Sequence, residues 1–274
     1  MYFDYRTKDS AYNIFLDFLG INGDEYIQDY VIECGSDNRR FLKKYASSIR
    51  NICYSDIKFI LTHITTSSNG CFEIEKNGLL DLRTILSKPS EISTFLSEQG
   101  IAIDVEKKKI RVDGISYDIN FNDLCSRFDL SIIDKKLKVI AHKLEVDFPI
   151  WGFYWQDDHY GGSVDRAPEI IQNINSFCEV CGNKKPIEKE WRENRSPYEI
   201  AYEVNIDMLD KVGVLYDACN NYGADEDGIK LGLFSTLIDR FESKLSSHSI
   251  ALLKPGFFVS EKSILSITPY SRLK

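Results

Sequence analysis

Glu188, Glu190 and Arg192 stand at alternate positions in Pro186-Ile-Glu-Lys-Glu-Trp-Arg, a short loop before the apolar stretch that opens at Tyr198. In an extended backbone side chains alternate with a period of two, so both carboxylates and the guanidinium would project to one side. A carboxylate fixed in this way can stabilise positive charge developing on a sugar, as in glycoside hydrolysis, and the arginine can pair with a carboxylate or a phosphate. The plainer alternative is a solvated charge run on a loop.

Upstream, Phe59-Ile-Leu-Thr-His-Ile-Thr-Thr66 is an apolar run with a polar tip, followed by Ile74-Glu-Lys-Asn-Gly-Leu-Leu80. Ile60, Leu61 and Ile64 suit a buried strand, and Asn77-Gly78 is a helix-stop signal. His63 would emerge where the strand ends, able to donate to a ligand hydroxyl, with the Thr65 backbone beside a flat ring. Alternatively it is a core histidine satisfied by backbone. A third segment, Trp151-Gly-Phe-Tyr-Trp155, is an aromatic strand leading to Tyr160-Gly-Gly162 and Arg166. The two glycines would allow close backbone approach, and Arg166 suits an anionic group. Against this, aromatic runs are more often core and Tyr-Gly-Gly is a common turn.

These three segments resemble the His-aromatic-Glu layout of ADP-ribosyltransferases, including bacterial abortive-infection families that carry a Glu-x-Glu-Trp-Arg element. The resemblance spans about residues 57–270 and implies an α+β fold with an ADP-ribosyltransferase-like split β-sheet core binding NAD as co-substrate. It implies that His63 holds the adenosine ribose and that Thr65 binds the nicotinamide amide. Tyr160, or its competitor Tyr154, would stack on the nicotinamide, and Arg166 and Arg192 would meet phosphates. Glu190 would hold the reacting ribose while Glu188 orients or deprotonates the acceptor. The implied activity is mono-ADP-ribosylation of a macromolecule, protein or nucleic acid, by a toxin or phage-defence effector kept in check by an antitoxin or other inhibitory protein. NAD hydrolysis without an acceptor, or an inert interaction module of the same fold, are the alternatives. The chain departs from poly(ADP-ribose) polymerases and cholera-like toxins in its middle motif, and from Arg-Ser-Glu enzymes in having His63 where they begin with arginine.

Elements able to position these residues are visible in the spacing. Residues 10–50 carry apolar positions at helical intervals, punctuated by Gly20, Gly23 and Gly35, and form a helical N-terminal extension (1–50) that packs on, or precedes, a catalytic domain (51–274). Ser90 starts a helix that Gln99-Gly100 ends. Residues 101–119 alternate apolar and polar as a β-hairpin or meander, and 121–146 return to helical spacing. Pro168-Glu169 opens a further helix. Tyr198 to Ile206 is a strand, Leu231 to Leu245 a helix, and Ile250 to Val259 a strand pair around Pro255-Gly256. Asp225-Glu-Asp-Gly228 misses the ligand spacing of a calcium loop and suits a solvated turn. Mixed elements without strict alternation favour α+β over a doubly wound sheet.

The 274 residues are 43% apolar and 12% aromatic, ample for a core. A net charge of −8 argues against a non-specific nucleic-acid coat. No apolar run reaches the roughly 18 residues of a membrane span, and the N-terminus lacks the order of a signal peptide. Seven cysteines, an odd number, suit reduced thiols in the cytoplasm. Cys178 and Cys181 form the one close pair, and a zinc site there would need further ligands from elsewhere in the fold. The sequence has no phosphate loop, dinucleotide fingerprint, His-Glu-x-x-His or nucleophile elbow.

Overall fold

The computed structural model describes residues 1–156, 166–183, 185–245 and 249–270. The chain begins with β1 (Tyr2–Asp4), α1 (Lys8–Leu19), α2 (Gly23–Tyr26), a π-helical stretch (Ile27–Glu33) and α3 (Asn38–Arg50). Then come β2 (Lys58–Ser67), α4 (Phe72–Asn77), α5 (Leu82–Ser87), α6 (Glu91–Glu98), β3 (Ile101–Asp104), β4 (Lys109–Val112) and β5 (Ile115–Asp118). The middle holds α7 (Phe121–Ser126), α8 (Ile132–Glu145), β6 (Trp151–Trp155), α9 (Glu169–Cys181), α10 (Ile187–Glu193) and β7 (Ser196–Asn205). The chain finishes with α11 (Val214–Tyr222), α12 (Glu226–Phe241), β8 (Ser249–Leu252) and β9 (Ile264–Pro269). Helices and largely antiparallel strands are mixed, an α+β arrangement.

The chain divides into two compact units, neither continuous in sequence. The first comprises Met1–His63, Trp151–Tyr160 and Ala201–Lys254, the second Ile64–Ile150, Gly161–Ile200 and Pro255–Lys274. Residues 1–50 are therefore not a unit of their own but part of the first. Strands β2 and β7 each run from one unit into the other.

In the first unit the strand order is β8-β6-β2-β7, with β1 parallel to β2 and β6 antiparallel to both β2 and β8. The helices α1, α3 and α11 pack on α12. Its core is aromatic: Phe3, Tyr5, Phe15, Phe41, Phe59 and Phe234 are fully buried. Phe3 meets Phe59 and Phe234 at ring distances of 5.7 and 5.5 Å, and Phe15 meets Phe41 at 5.8 Å. The acidic run at Asp225 belongs to the start of α12. Asp225 caps the helix by accepting from the Gly228 amide, and Glu226 and Asp227 occupy the first turn, where carboxylates complement the helix dipole.

The second unit contains the expected meander, β3-β4-β5, paired antiparallel throughout. Helices α8 and α9 pack on each other, and α9 on α10. Buried Leu137, Ile140, Leu144, Ile170, Ile174 and Trp191 belong to one apolar cluster. Ser90 caps α6 as its position predicts, although the reciprocal partner in the capping box is the Ser93 hydroxyl. Beyond Pro255 the expected second strand is reduced to a bridge, in which Val259 pairs with Leu79. Gly78 makes that approach possible: its φ is +75°, and a Cβ there would lie 1.9 Å from the Val259 carbonyl oxygen.

Candidate functional site

The Glu-x-Glu-Trp-Arg segment is helical, not extended, because Ile187 and Trp191 are both buried and a four-residue interval needs helical spacing to bring them to one side. This overturns the same-side arrangement of the two glutamates. Two residues along a helix turn through about 200°, so Glu188 and Glu190 leave α10 in nearly opposite directions. The Glu190 carboxylate accepts from Gln99 Nε2 at 2.7 Å. Glu188 instead lines a cleft of about 480 Å³ in the second unit, one turn from Arg192 on the same helix face.

That cleft gathers three cations, Lys185, Lys189 and Arg192, and two carboxylates, Glu179 and Glu188. Asn175 organises its floor. Its Oδ1 accepts from the Glu188 amide at 3.3 Å, and its Nδ2 donates to Glu179 at 2.9 Å. Lys185 is steadied by a 2.7 Å bond to the Gln99 carbonyl. The mixture suits a ligand with both anionic and hydroxyl groups, since the cations can take phosphate oxygens while a carboxylate accepts from sugar hydroxyls.

A buried polar cluster fixes α10 to the end of β2. Trp191 Nε1 donates to Thr66 Oγ1 at 2.8 Å, and both residues are buried. The Arg195 guanidinium lies 3.7 Å from the Trp191 ring centroid and 4.8 Å from that of Phe95. Arg195 Nε approaches Glu91 Oε1 to 2.7 Å as an ion pair, yet its N–H is not aligned for a hydrogen bond. Glu91 in turn accepts from the Ser67 hydroxyl and the Ser68 amide. Thr66, the last residue of the apolar run singled out in the sequence, and Trp191 of Glu-x-Glu-Trp-Arg are thus joined within the second unit.

His63 lies in the first unit and is half-buried. Its Nδ1 is 2.7 Å from the Trp151 carbonyl oxygen. A carbonyl can only accept, so Nδ1 carries the proton, and Nε2 of the neutral ring is an acceptor. The Nδ1 proton is thus engaged by the Trp151 carbonyl and is not the one that would meet a ligand hydroxyl, the role expected of His63. Thr65 is half-exposed two residues along the same strand. Trp151, also half-buried, shares this part of the first unit with Gln156, whose amide donates to Thr62 Oγ1 at 3.0 Å.

Tyr154 cannot stack on a ligand. It is fully buried, with its ring edge-on to Tyr5 at 5.9 Å and Phe59 at 5.3 Å, and burial raises its hydroxyl pKa. Its hydroxyl and that of Tyr202 have no hydrogen-bond partner among the described residues. Tyr160 lies outside the described residues. Arg166 is exposed immediately before the turn into α9.

Among the described residues no group of three or more His, Cys, Asp or Glu side chains is placed to hold a metal. Cys178 is fully buried at the end of α9, and burial pushes its thiol pKa up to about 12. Cys181 donates to the Cys178 carbonyl at 3.5 Å. The pair thus sits at the C-terminal end of α9, with Cys178 buried and Cys181 half-buried.

Nothing in the sequence marked Glu91 or Arg195 for the site, Gln99 was legible only as a helix end, and Thr66 only as the end of an apolar run. Only the i, i+4 apolar pair Ile187 and Trp191 carried a signal, and it competed with the period of two that the glutamates suggested. No family model, curated protein or solved structure matches this chain.

Proposed function

We propose that this protein is an NAD-dependent mono-ADP-ribosyltransferase acting on a macromolecule, protein or nucleic acid. The observation that supports it is the cleft on α10, where Glu188 stands one turn from Arg192 among lysines, on a helix pinned through Trp191 to Thr66. In this reading Arg192, Lys185 and Lys189 take the pyrophosphate oxygens. Glu188, not Glu190, is the carboxylate that faces the reacting ribose. The bond between the nicotinamide nitrogen and ribose C1′ breaks, its electron pair leaving with nicotinamide, and positive charge spreads over C1′ and the ring oxygen. A carboxylate held near that charge lowers the barrier, and an acceptor oxygen or nitrogen then bonds to C1′ and loses its proton. The resemblance to abortive-infection proteins supports a role as toxin or phage-defence effector under the control of an inhibitory partner.

A second reading, an inert interaction module, is favoured by one observation: the helix separates the two glutamates, so this site lacks the paired carboxylates of the transferases it resembles. Labelled NAD incubated with the protein and cell lysate distinguishes the two. Transfer of label, or nicotinamide release, is expected from the wild type and to fall about 100-fold or more in Glu188→Gln, while Glu190→Gln stays within about tenfold. Loss of label to protease or to nuclease then identifies the acceptor. Neither label nor release from the wild type would leave the interaction module.

A further inference from the structure

Helix α8 has two apolar faces, of which only one is used. Leu137, Ile140, Ala141 and Leu144 are buried in the second unit's core. On the opposite side Ile132 is 67%, Val139 46% and Val146 53% exposed, and Phe128, one turn before the helix, is fully exposed. Ile132 and Val139, with Val146 at the helix C-cap, are seven residues apart, which on a helix of 3.6 residues per turn sets them close to a straight line along its axis. A surface helix normally presents charge there, and a repeated apolar line is what a second helix packs against.

The charged side chains of α8 itself that border the line are lysines. Lys135 and Lys138 flank it on one edge and make no ion pair among the described residues; exposed His142 lies on the same edge. Lys136 and Lys143 flank the other edge, held by Ser176 and by Asp147 and Glu169. The nearby acids Asp134 and Glu145 point away from the line, paired with Arg127 and Lys108. A basic strip on a chain of net charge −8 is a local feature, not an overall bias.

We infer that the outer face of α8 docks an amphipathic helix of a partner protein, one with an apolar stripe edged by Glu and Asp. Charge complementarity selects this occupant. Two copies of α8 packed on each other would bring lysine against lysine. An interfacial membrane helix would need a broad apolar face carrying Leu, Phe or Trp, whereas this line is one residue wide and mainly β-branched.

The test uses the full chain and two synthetic helical peptides with Leu at the a and d heptad positions, one with Glu and one with Lys at e and g. Fluorescence anisotropy should show the Glu peptide binding at least tenfold more tightly than the Lys peptide at low salt, the gap narrowing as salt screens it. Val139→Glu should abolish binding while circular dichroism and thermal melting stay unchanged, because the residue is on the surface. Lys135→Glu with Lys138→Glu should reverse the peptide preference. Equal binding of both peptides, binding that survives Val139→Glu, or no binding of the Glu peptide at about 100 µM would overturn the inference. Binding to phosphatidylserine vesicles or self-association, lost in Val139→Glu, would also overturn it, showing a lipid surface or a second copy as the occupant.

Discussion

Trp191 ties the candidate site together through one neutral hydrogen bond in a dry environment, and its loss can be measured. Trp191→Phe leaves the Thr66 hydroxyl buried without its donor, and Thr66→Val leaves the indole N–H without its acceptor. Each should cost about 1–3 kcal/mol in urea unfolding. The double variant should cost less than the sum, since the second change removes the group the first one stranded. Full additivity would mean that the two side chains do not depend on each other. Tyr154 and Tyr202 are the converse case, with buried hydroxyls that have no partner among the described residues. Tyr154→Phe and Tyr202→Phe should be neutral or slightly stabilising, and Tyr154→Phe should leave any NAD turnover unchanged; a large loss of turnover would restore Tyr154 to the site. At this scale the sequence showed which residue types carry chemistry but not which way they point. Glu188 and Arg192 reach one cleft because they are four residues apart on a helix, whereas Glu190, equally conspicuous in the sequence, faces Gln99.

Elements were legible where a local rule decides them. Ser90 starts α6 and the alternation at 101–119 makes the meander, because caps and strand alternation act over a few residues. The stretch 187–193 was ambiguous because two periods coexist in it, and tertiary burial of Ile187 and Trp191 selected the helical one. The end of α12 shows what such selection costs. Burial raises the Asp239 carboxyl above the usual carboxylate range, against the lowering effects of the Asn38 amide and Lys244. A carboxyl whose folded pKa is raised binds its proton more tightly in the folded chain. Its contribution to stability is therefore fully present below the unfolded value and lost as pH rises through the folded one. Asp239→Asn keeps an acceptor for Asn38 and removes the charge, so it should stabilise the protein at pH 7 and do so much less near pH 3. Melting temperatures of both proteins across that range check the sign. A variant less stable than wild type at pH 7 would mean that the charge itself is wanted there.

For the whole molecule, the sequence left one question that only packing answers: whether the first fifty residues are an appendage. Amphipathic spacing shows that a helix buries one face, but not against what. In the structure these residues supply Phe3, Tyr5, Phe15, Tyr26, Tyr30 and Phe41 to the core of the first unit, and β1 pairs with β2. Their partners come from far along the chain: Phe234 meets both Phe3 and Phe15, the Tyr5 hydroxyl donates to the Leu233 carbonyl, and Arg240 donates to the Tyr5 and Arg6 carbonyls. Truncating even one such buried aromatic side chain costs about 3–5 kcal/mol, against a total stability of about 5–15 kcal/mol for a typical domain. Removing all six exceeds what the first unit can lose. Residues 51–274 expressed alone should therefore lack the near-ultraviolet dichroism of packed aromatic rings, bind a hydrophobic dye and show no cooperative melting of the first unit. A 51–274 fragment that melts cooperatively with intact aromatic dichroism would show instead that the first fifty residues are a separable extension, and that the buried rings they contribute are dispensable to the fold.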